Sequence, residues 1–174
     1  MDGLGMAILP IRLYPDPILR KRCKPAGKVD DALRGLARSM VETLHGAPGA
    51  GLAAPQVGEA VRLIVVDLSL GQDPAQLHVL VNPELAAAEG EQMEEEGCLS
   101  LPGVHEKVRR SMRVRVRALN LRGEEIRLDG AGALARVLQH EMDHLEGKLI
   151  LDHLGRLKRD ALKKLLKKQG RAPS

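Results

Sequence analysis

Aromatic side chains are almost absent from this sequence of 174 residues, which contains one Tyr, no Phe and no Trp. Proteins that bind single-stranded nucleic acid usually stack its bases on aromatic rings. The net charge of +4 is therefore weak support for such binding, and we expect no sequence-specific nucleic-acid partner. The hydrophobic content of 44% still indicates a globular protein, whose core must be packed from aliphatic side chains and Met.

Cysteines and long apolar runs are also scarce. Cys23 and Cys98 are the two cysteines, too few for the disulfide framework of a small secreted protein. No apolar run approaches the roughly 18 residues of a transmembrane helix. The N-terminal segment lacks the basic and apolar regions of a signal peptide. We therefore expect no membrane association and a cytoplasmic location, where a reduced thiol is free to bind a metal.

The positive charge is concentrated at the C-terminal end. A chain of this length is expected to form one domain, residues 1–174, with a basic helix from about residue 156. Residues 154–174 contain one acidic residue, Asp160, and the following basic residues: Arg156, Lys158, Arg159, Lys163, Lys164, Lys167, Lys168 and Arg171. Since the whole chain carries +4, the remainder is slightly acidic.

The apolar pattern predicts an α+β fold, with antiparallel sheets packed around a central helix and further helices near both termini. Asp30 is a candidate N-cap for a helix that ends near His45. Residues 113–121 alternate small apolar residues with arginines, which is typical of a half-exposed strand. Other predicted segments are strands at 61–68, 77–83 and 122–128, the central helix at 130–146, and a loop at 90–103.

The central helix carries the sequence HEMDH, residues 140–144. On a helical wheel Glu141 falls within the apolar stripe, and His140 and His144 lie side by side at the edge of that stripe. Burying an unpaired carboxylate is costly. A polar helix with two hydrogen-bonded histidines would therefore leave Glu141 unexplained. The pattern H-E-x-x-H is typical of helices that bind zinc and supply a glutamate as general base.

A catalytic metal site needs a third protein ligand. The metzincin spacing is not met, because position 150 is Ile and His153 stands nine residues beyond His144. The best upstream candidate is Cys98 in EEGCLSLPG, since a thiolate can bind a metal, and a buried free thiol is the alternative. No role at the site is expected for Cys23, His45, His78 and His105.

Three motifs taken together resemble the bacterial peptide deformylases. GAGLAAPQ (49–56) is similar to the family's G-x-G-L-A-A-x-Q, EGCLS (96–100) to E-G-C-L-S, and QHEMDHL (139–145) to Q-H-E-x-D-H-L. They occur in the family's order, and the resemblance extends from about residue 8 to 165. It implies a metal-dependent hydrolase that removes the N-formyl group from the N-terminal methionine of newly made polypeptides and releases formate.

The resemblance also implies roles for individual residues. Cys98, His140 and His144 match the metal ligands, and Glu141 matches the catalytic acid/base. Gln56, through its side-chain amide, and Leu99, through its backbone N–H, match the donors to the formyl oxygen. The implied metal is Fe²⁺ in the cell, and the family is similar in tolerating Zn²⁺, Ni²⁺ or Co²⁺.

Contacts with the peptide are expected from several residues. Ala50 and Gly51 belong to a glycine-flanked segment that a peptide backbone can approach closely. By position in the family, the methionine pocket is expected to involve Ala50, Leu99, Ala133, Val137 and His140. Glu96 directly precedes the ligand loop.

Three more expectations concern the neighbours of these residues. By family similarity Glu96 is expected to pair with Arg110. Ala133 and Arg136 stand where some relatives have larger apolar residues, so the pocket rim is expected to differ. Asp143 and Gln139 are left open between a position next to the ligands and one on the surface.

Two alternative functions remain at this point. An H-E-x-x-H zinc endopeptidase would leave the EGCLS segment idle and lacks a downstream ligand. A ribosome-associated module with a structural metal would need four ligands, where three are found. The basic C-terminal helix is expected either to dock through Leu157, Ala161, Leu165 and Leu166, or to attach the enzyme to the ribosome near the nascent chain.

Overall fold

The computed structural model describes residues 7–171. The α-helices are α1 (Asp31–His45), α2 (Ala133–Leu145) and α3 (Arg156–Arg171). The strands are β1 (Gly51–Ala53), β2 (Leu63–Asp67), β3 (Leu77–Glu89), β4 (Gln92–Cys98), β5 (Leu101–Arg110), β6 (Arg113–Leu119) and β7 (Glu125–Ala131). Every pairing among these strands is antiparallel, which confirms the α+β fold.

The strands form a sheet of order β1-β2-β3-β6-β7 and a separate hairpin of β4 and β5. All five residues of β2 are buried. Leu63 and Val65 pack with α1, whereas Ile64 and Val66 pack with α2. Because successive side chains of a strand point to opposite faces, the two helices cover opposite faces of the sheet. The central position of α2 is thereby confirmed.

Helix α1 begins where the sequence predicts. The Asp30 carboxylate accepts a hydrogen bond from the Leu33 N–H at 2.9 Å, so Asp30 caps the helix. In β6 the predicted alternation is also present: Val114, Val116 and Ala118 are buried and the intervening arginines are exposed.

The prediction of a loop at residues 90–103 is wrong. Most of this segment forms β4 and the start of β5. The acidic run is part of a strand in which Glu94 and Glu95 are exposed, whereas Gln92 and Glu96 are buried. Glu95 also stands opposite Lys107, so the charge is compensated across the hairpin. The ladder is irregular between Gly97 and Cys98, where the hairpin turns toward α2.

Helix α3 docks on the body through Leu166, as expected, but not through the rest of the expected stripe. Leu166 is buried and Leu162 packs beside it, in a hydrophobic cluster that also contains Leu101 and Ile150. Leu157 is 88% exposed and Leu165 is 48% exposed, so these two do not dock. The helix is therefore held by its middle. None of the helices among residues 7–171 has the length and apolar character needed to cross a membrane.

Asp67, at the end of β2, holds both ends of the loop 46–50 that follows α1. Its carboxylate lies 2.8 Å from Nε2 of His45, the last residue of α1. Its own N–H donates to the carbonyl of Ala50 at 2.8 Å. Burial would raise the pKa of Asp67, but hydrogen bonds from Ser69, His45 and Gly71 outweigh burial and lower it. Because the pKa of Asp67 is lower in the folded protein than in the unfolded chain, the ionised carboxylate stabilises the fold at pH values above the ordinary carboxyl pKa. This stabilisation is lost as the pH falls through the pKa of the folded state.

Replacing Asp67 by Asn is expected to lower the free energy of unfolding by about 2 kcal/mol or more, because charge-assisted hydrogen bonds are lost in a buried place. Urea denaturation at neutral pH measures this difference, which should shrink as the pH falls into the acid range. Asp129→Asn is the control, since Asp129 forms an exposed pair with Arg115. Equal midpoints for both variants would contradict the role given to Asp67.

Candidate active site and metal centre

Three potential metal ligands meet at one point between α2 and the β4–β5 hairpin. His140 and His144 are one turn apart on α2 and both are buried. Cys98 ends β4 and is half-buried. One ligand atom from each of the three residues lies within 4.8 Å of the others, and Cys98 Sγ lies 3.5 Å from His144 Nε2. The structure thus brings together all three of the predicted ligands.

The geometry and the charge of this cluster fit a divalent cation. Tetrahedral bonds of about 2.3 Å to sulfur and 2.0–2.1 Å to nitrogen place those two atoms about 3.5 Å apart, as Cys98 and His144 are here. Burial lowers the pKa of His140, but the acidic groups of Glu141, Cys98 and Glu96 outweigh burial and raise it well above its ordinary value. The acidic groups that favour the charged form of His140 would favour a bound cation in the same way.

Glu96 fixes the orientation of His140. Its Oε1 lies 3.0 Å from His140 Nδ1, which leaves Nε2 directed to the ligand cluster. Arg110 donates to both oxygens of Glu96, at 2.8 and 2.9 Å, so the expected pair is present and bidentate. Burial would raise the pKa of Glu96, but the hydrogen bonds from Arg110 and His140 lower it. Glu96 therefore stays ionised next to the histidine.

The charged chain extends beyond Arg110. Nη1 of Arg110 donates to Asp143 Oδ2 at 2.6 Å, and that oxygen also lies 2.8 Å from His153 Nε2. Asp143 is therefore connected to the candidate ligand His140 through Arg110 and Glu96 and is not a free surface group. Gln139 has a different task, because it hydrogen-bonds the N–H and the carbonyl of Ser111 and so ties α2 to the β5–β6 turn.

His144 presents Nε2 to Cys98, and its Nδ1 is buried without a hydrogen-bond partner among the described residues. Burial, followed by the positive charge of His140, lowers the pKa of His144 well below its ordinary value. The ring is thus neutral at physiological pH, which is the form that binds a metal.

Glu141 is buried beside the cluster, and its Oε1 has no hydrogen-bond partner within residues 7–171. Burial raises the pKa of Glu141 to about 7. The side chain occupies space left open by Gly51, where a Cβ atom would stand 2.5 Å from Oε2. The apolar placement indicated by the helical wheel is confirmed.

Gln56 points its amide nitrogen into the site. Its Oε1 accepts a hydrogen bond from the Ala53 N–H at 2.9 Å, which orients the amide group. Nε2 then lies 3.1 Å from Ser100 Oγ and 3.6 Å from Cys98 Sγ. Ser100 is buried, and its carbonyl accepts a hydrogen bond from the Tyr14 N–H at 2.9 Å.

A cavity of about 490 Å³ opens onto these groups. The candidate ligands Cys98 and His140 line this cavity. Its walls also include most of the other predicted site residues, namely Ala50, Gly51, Gln56, Glu96, Leu99, Val137 and Glu141. Ala133 is not among the lining residues and is exposed at the start of α2. A larger cleft of about 650 Å³ is lined by Arg62, Arg110, Asp143 and His153, among others, but contains none of the candidate ligands.

Sequence reasoning missed three contributors. Ser100 supports Gln56, and its place in EGCLS, two residues after the thiol, was the available signal. His153 was considered only as a metal ligand, and no sequence pattern connects it to Asp143. His105 was given no role, yet it lines the cavity near its exposed rim.

Two histidines and a thiol around a position open to a cavity, next to a buried carboxyl group, are the parts of a metal-dependent hydrolase. Comparison with known proteins gives the family. The family described as polypeptide deformylase matches residues 8–160, and the chain belongs to this family. Its members are metal-dependent enzymes that remove the formyl group from the N-terminal methionine of new polypeptides, and this is the reaction of the chain.

Relatives and solved structures agree. The chain is 47% identical to a peptide deformylase of Acidobacterium capsulatum over 96% of this chain and 98% of the relative, and 48% identical to one of Thermodesulfovibrio yellowstonii over 93% and 98%. A peptide deformylase structure from Legionella pneumophila superposes with a TM-score of 0.89 at 43% identity, covering 96% of this chain and 100% of the other. An internal-peptide endopeptidase and a non-enzymatic module are therefore both wrong.

Gly51→Ala is expected to lower the rate of deformylation by roughly 10²-fold, because the added Cβ displaces the Glu141 carboxylate from its place beside the candidate ligands. The measurement is kcat/KM for formate release from a formyl-Met peptide. Gly35→Ala is the matched control: a Cβ there has open space on α1, so stability should rise slightly and the rate should not change. A Gly51→Ala enzyme as fast as this control would show that Glu141 tolerates displacement.

Proposed function

We propose that Cys98, His140 and His144 bind one divalent metal and that Glu141 is the acid/base of the deformylation reaction. The observation that carries this proposal is the convergence of the three ligand atoms beside a buried carboxyl group at the wall of an open cavity. Three ligands leave a further coordination position free, as catalysis requires. When bound, the cation supplies Lewis-acid activation of water at neutral pH.

Fe²⁺ is the proposed metal in the cell, and Zn²⁺, Ni²⁺ and Co²⁺ are proposed replacements. Support comes from the mixed sulfur and nitrogen donors, which accept each of these borderline ions. Glu96 hydrogen-bonds Nδ1 of His140 and is itself held by Arg110. These contacts fix one tautomer of His140, as metal binding through Nε2 requires.

Glu141 carries the proton. A general base must be ionised when it accepts a proton, and a general acid must be protonated when it donates one. With its pKa raised to about 7, Glu141 occupies both forms near neutral pH. In the proposed reaction its carboxylate takes a proton from the attacking water and gives it to the amine of the methionine as formate leaves.

The formyl oxygen gains negative charge during this attack, and two donors are proposed to stabilise it. Gln56 presents an N–H from a fixed amide, and Leu99 supplies its backbone N–H next to Cys98. Losing one such donor typically costs about 10²–10³ in rate. Ser100 holds Gln56 in place and is not proposed to touch the substrate.

The peptide is proposed to lie along β1. This strand is at the edge of its sheet, paired with β2 on one side, so the backbone near Ala50 and Gly51 can receive an extended chain. Val137 and Leu99 on the cavity wall are proposed to contact the methionine side chain, and Ala133 is left out of this set.

The test is anaerobic formate release from a formyl-Met peptide by iron-loaded enzyme, together with metal analysis. Glu141→Gln is expected to keep its metal and lose about 10²–10⁴ in rate, whereas Cys98→Ser is expected to lose metal. Glu42→Gln makes the same chemical change as Glu141→Gln but on α1, and should keep the wild-type rate. Full activity in Glu141→Gln would contradict the proton-transfer role of Glu141. Full metal occupancy in Cys98→Ser would contradict the proposed set of ligands.

We also propose that α3 attaches the enzyme to the ribosome in the cytoplasm. The helix is anchored by Leu162 and Leu166 and so belongs to the same domain as the body. Lys164, Lys167 and Lys168 are exposed and have no ion-pair partner among the described residues. Such free cations bind phosphate by releasing its counterions.

Replacing these three lysines by Gln is expected to weaken co-sedimentation with ribosomes and to flatten its salt dependence by roughly one slope unit per lysine. Formate release from a free peptide should not change, because the buried anchor of α3 is intact. The matched control removes three exposed positive charges elsewhere, at Lys28, Arg122 and Arg127. The proposal fails if both triple variants pellet with ribosomes as the wild type does.

A further inference from the structure

Arg136 is a half-buried cation on the wall of the cavity that opens onto the candidate ligands. It lies on α2, one turn before His140, and its side chain lines the cavity beside Val137. No carboxylate or carbonyl oxygen within residues 7–171 accepts a hydrogen bond from its guanidinium. Arg34, Arg62 and Arg110, which are also shielded from solvent, each bind at least one such oxygen.

The position is unfavourable for the stability of α2. The first turn of a helix carries partial positive charge, which favours acids and disfavours cations. In α2 the first turn contains no acidic residue, and the Gly132 N-cap provides no side-chain hydrogen bond. Arg136 therefore adds a cation to an end of the helix that is already positive and uncompensated.

The other charges at the cavity are paired, exposed at its rim or buried deeper. Glu96 is neutralised by Arg110 and His140. Glu95 is exposed and stands 4.0 Å from His105. Glu141 is buried beside the candidate metal ligands. Among the cavity-lining residues that the structure describes, Arg136 is thus the half-buried charge without a counter-charge, and it stands on the α2 wall.

We propose that Arg136 makes this enzyme select formyl-Met peptides with an acidic side chain at the second or third residue. One helical turn separates Arg136 from His140, about 6 Å along the axis. An extended peptide advances about 3.3–3.4 Å per residue. A peptide whose formyl group is at the candidate ligands and whose chain runs toward the N-terminal end of α2 therefore brings its second and third residues past Arg136. The inference rests on this cavity being the substrate site.

The test compares kcat/KM for formate release from formyl-Met-Xaa-Ser and formyl-Met-Ala-Xaa peptides, with Xaa as Glu, Gln or Lys. In one of the two series, wild-type enzyme is expected to prefer Glu over Lys by roughly three- to tenfold, the range of a partly shielded ion pair. In roughly 1 M salt, where the Debye length is about 3 Å, the preference should largely disappear.

Variants separate charge recognition from a structural role. Arg136→Ala should bring the Glu-to-Lys ratio close to one, Arg136→Lys should keep part of the preference, and Arg136→Glu should invert it. Arg122→Ala, which removes an exposed arginine in the β6–β7 turn, should retain the wild-type ratio. Inversion by Arg136→Glu is an outcome that mere destabilisation of α2 cannot produce.

A wild-type ratio near one in both peptide series, or a ratio unchanged in Arg136→Ala, would overturn the proposal. Formate release from the Gln peptides by wild-type enzyme is measured in the same experiment. Absence of that release would contradict the proposed site itself, so the two failures are distinguishable.

Discussion

The buried ion pair of Glu96 and Arg110 is the interaction on which the site depends. It joins β4 to β5, reaches His140 through Glu96 and reaches Asp143 through Arg110, so that hairpin and helix share one set of hydrogen bonds. Breaking such a pair by removing one partner typically costs about 3–5 kcal/mol. The cost arises because a desolvated charge is left alone, and here that charge would lie next to a candidate metal ligand. The pair therefore acts on geometry as well as on stability.

The sequence alone predicts the parts of the site that are local. Helical spacing places His140 and His144 on one face and turns Glu141 inward, and both features depend only on positions within one helix. Asp30 as a cap and the alternation of β6 are local in the same sense. The third ligand was different, since the residues themselves left Cys98 open between a ligand and a buried thiol. The resemblance to a family, rather than physical reasoning from spacing, selected it.

What sequence reasoning could not supply was set by tertiary contacts. The acidic run of β4 was predicted as a loop because its compensating charges, Lys107 and Arg110, come from another strand. The sequence of β4 alone does not show that these residues stand opposite or beside it. The bond between His153 and Asp143 joins a 3₁₀ turn to α2 and has no sequence period. Which leucines of α3 dock could not be chosen either, since all of them are apolar and contact with the body decides that Leu166 is buried, with Leu162 beside it.

The near absence of aromatic residues, together with the position of Tyr14, makes this protein well suited to optical spectroscopy. The sequence contains one Tyr and neither Phe nor Trp. Tyr14 packs against the hydrophobic cluster that contains Leu101, Ile150 and Leu166, and its backbone N–H donates a hydrogen bond to the carbonyl of Ser100 beside the site. Intrinsic fluorescence of this protein therefore comes from one fluorophore at one known place. With no tryptophan to mask it, the near-ultraviolet region has little protein background, and binding of metal by Cys98, as proposed, would add a thiolate-to-metal charge-transfer band there.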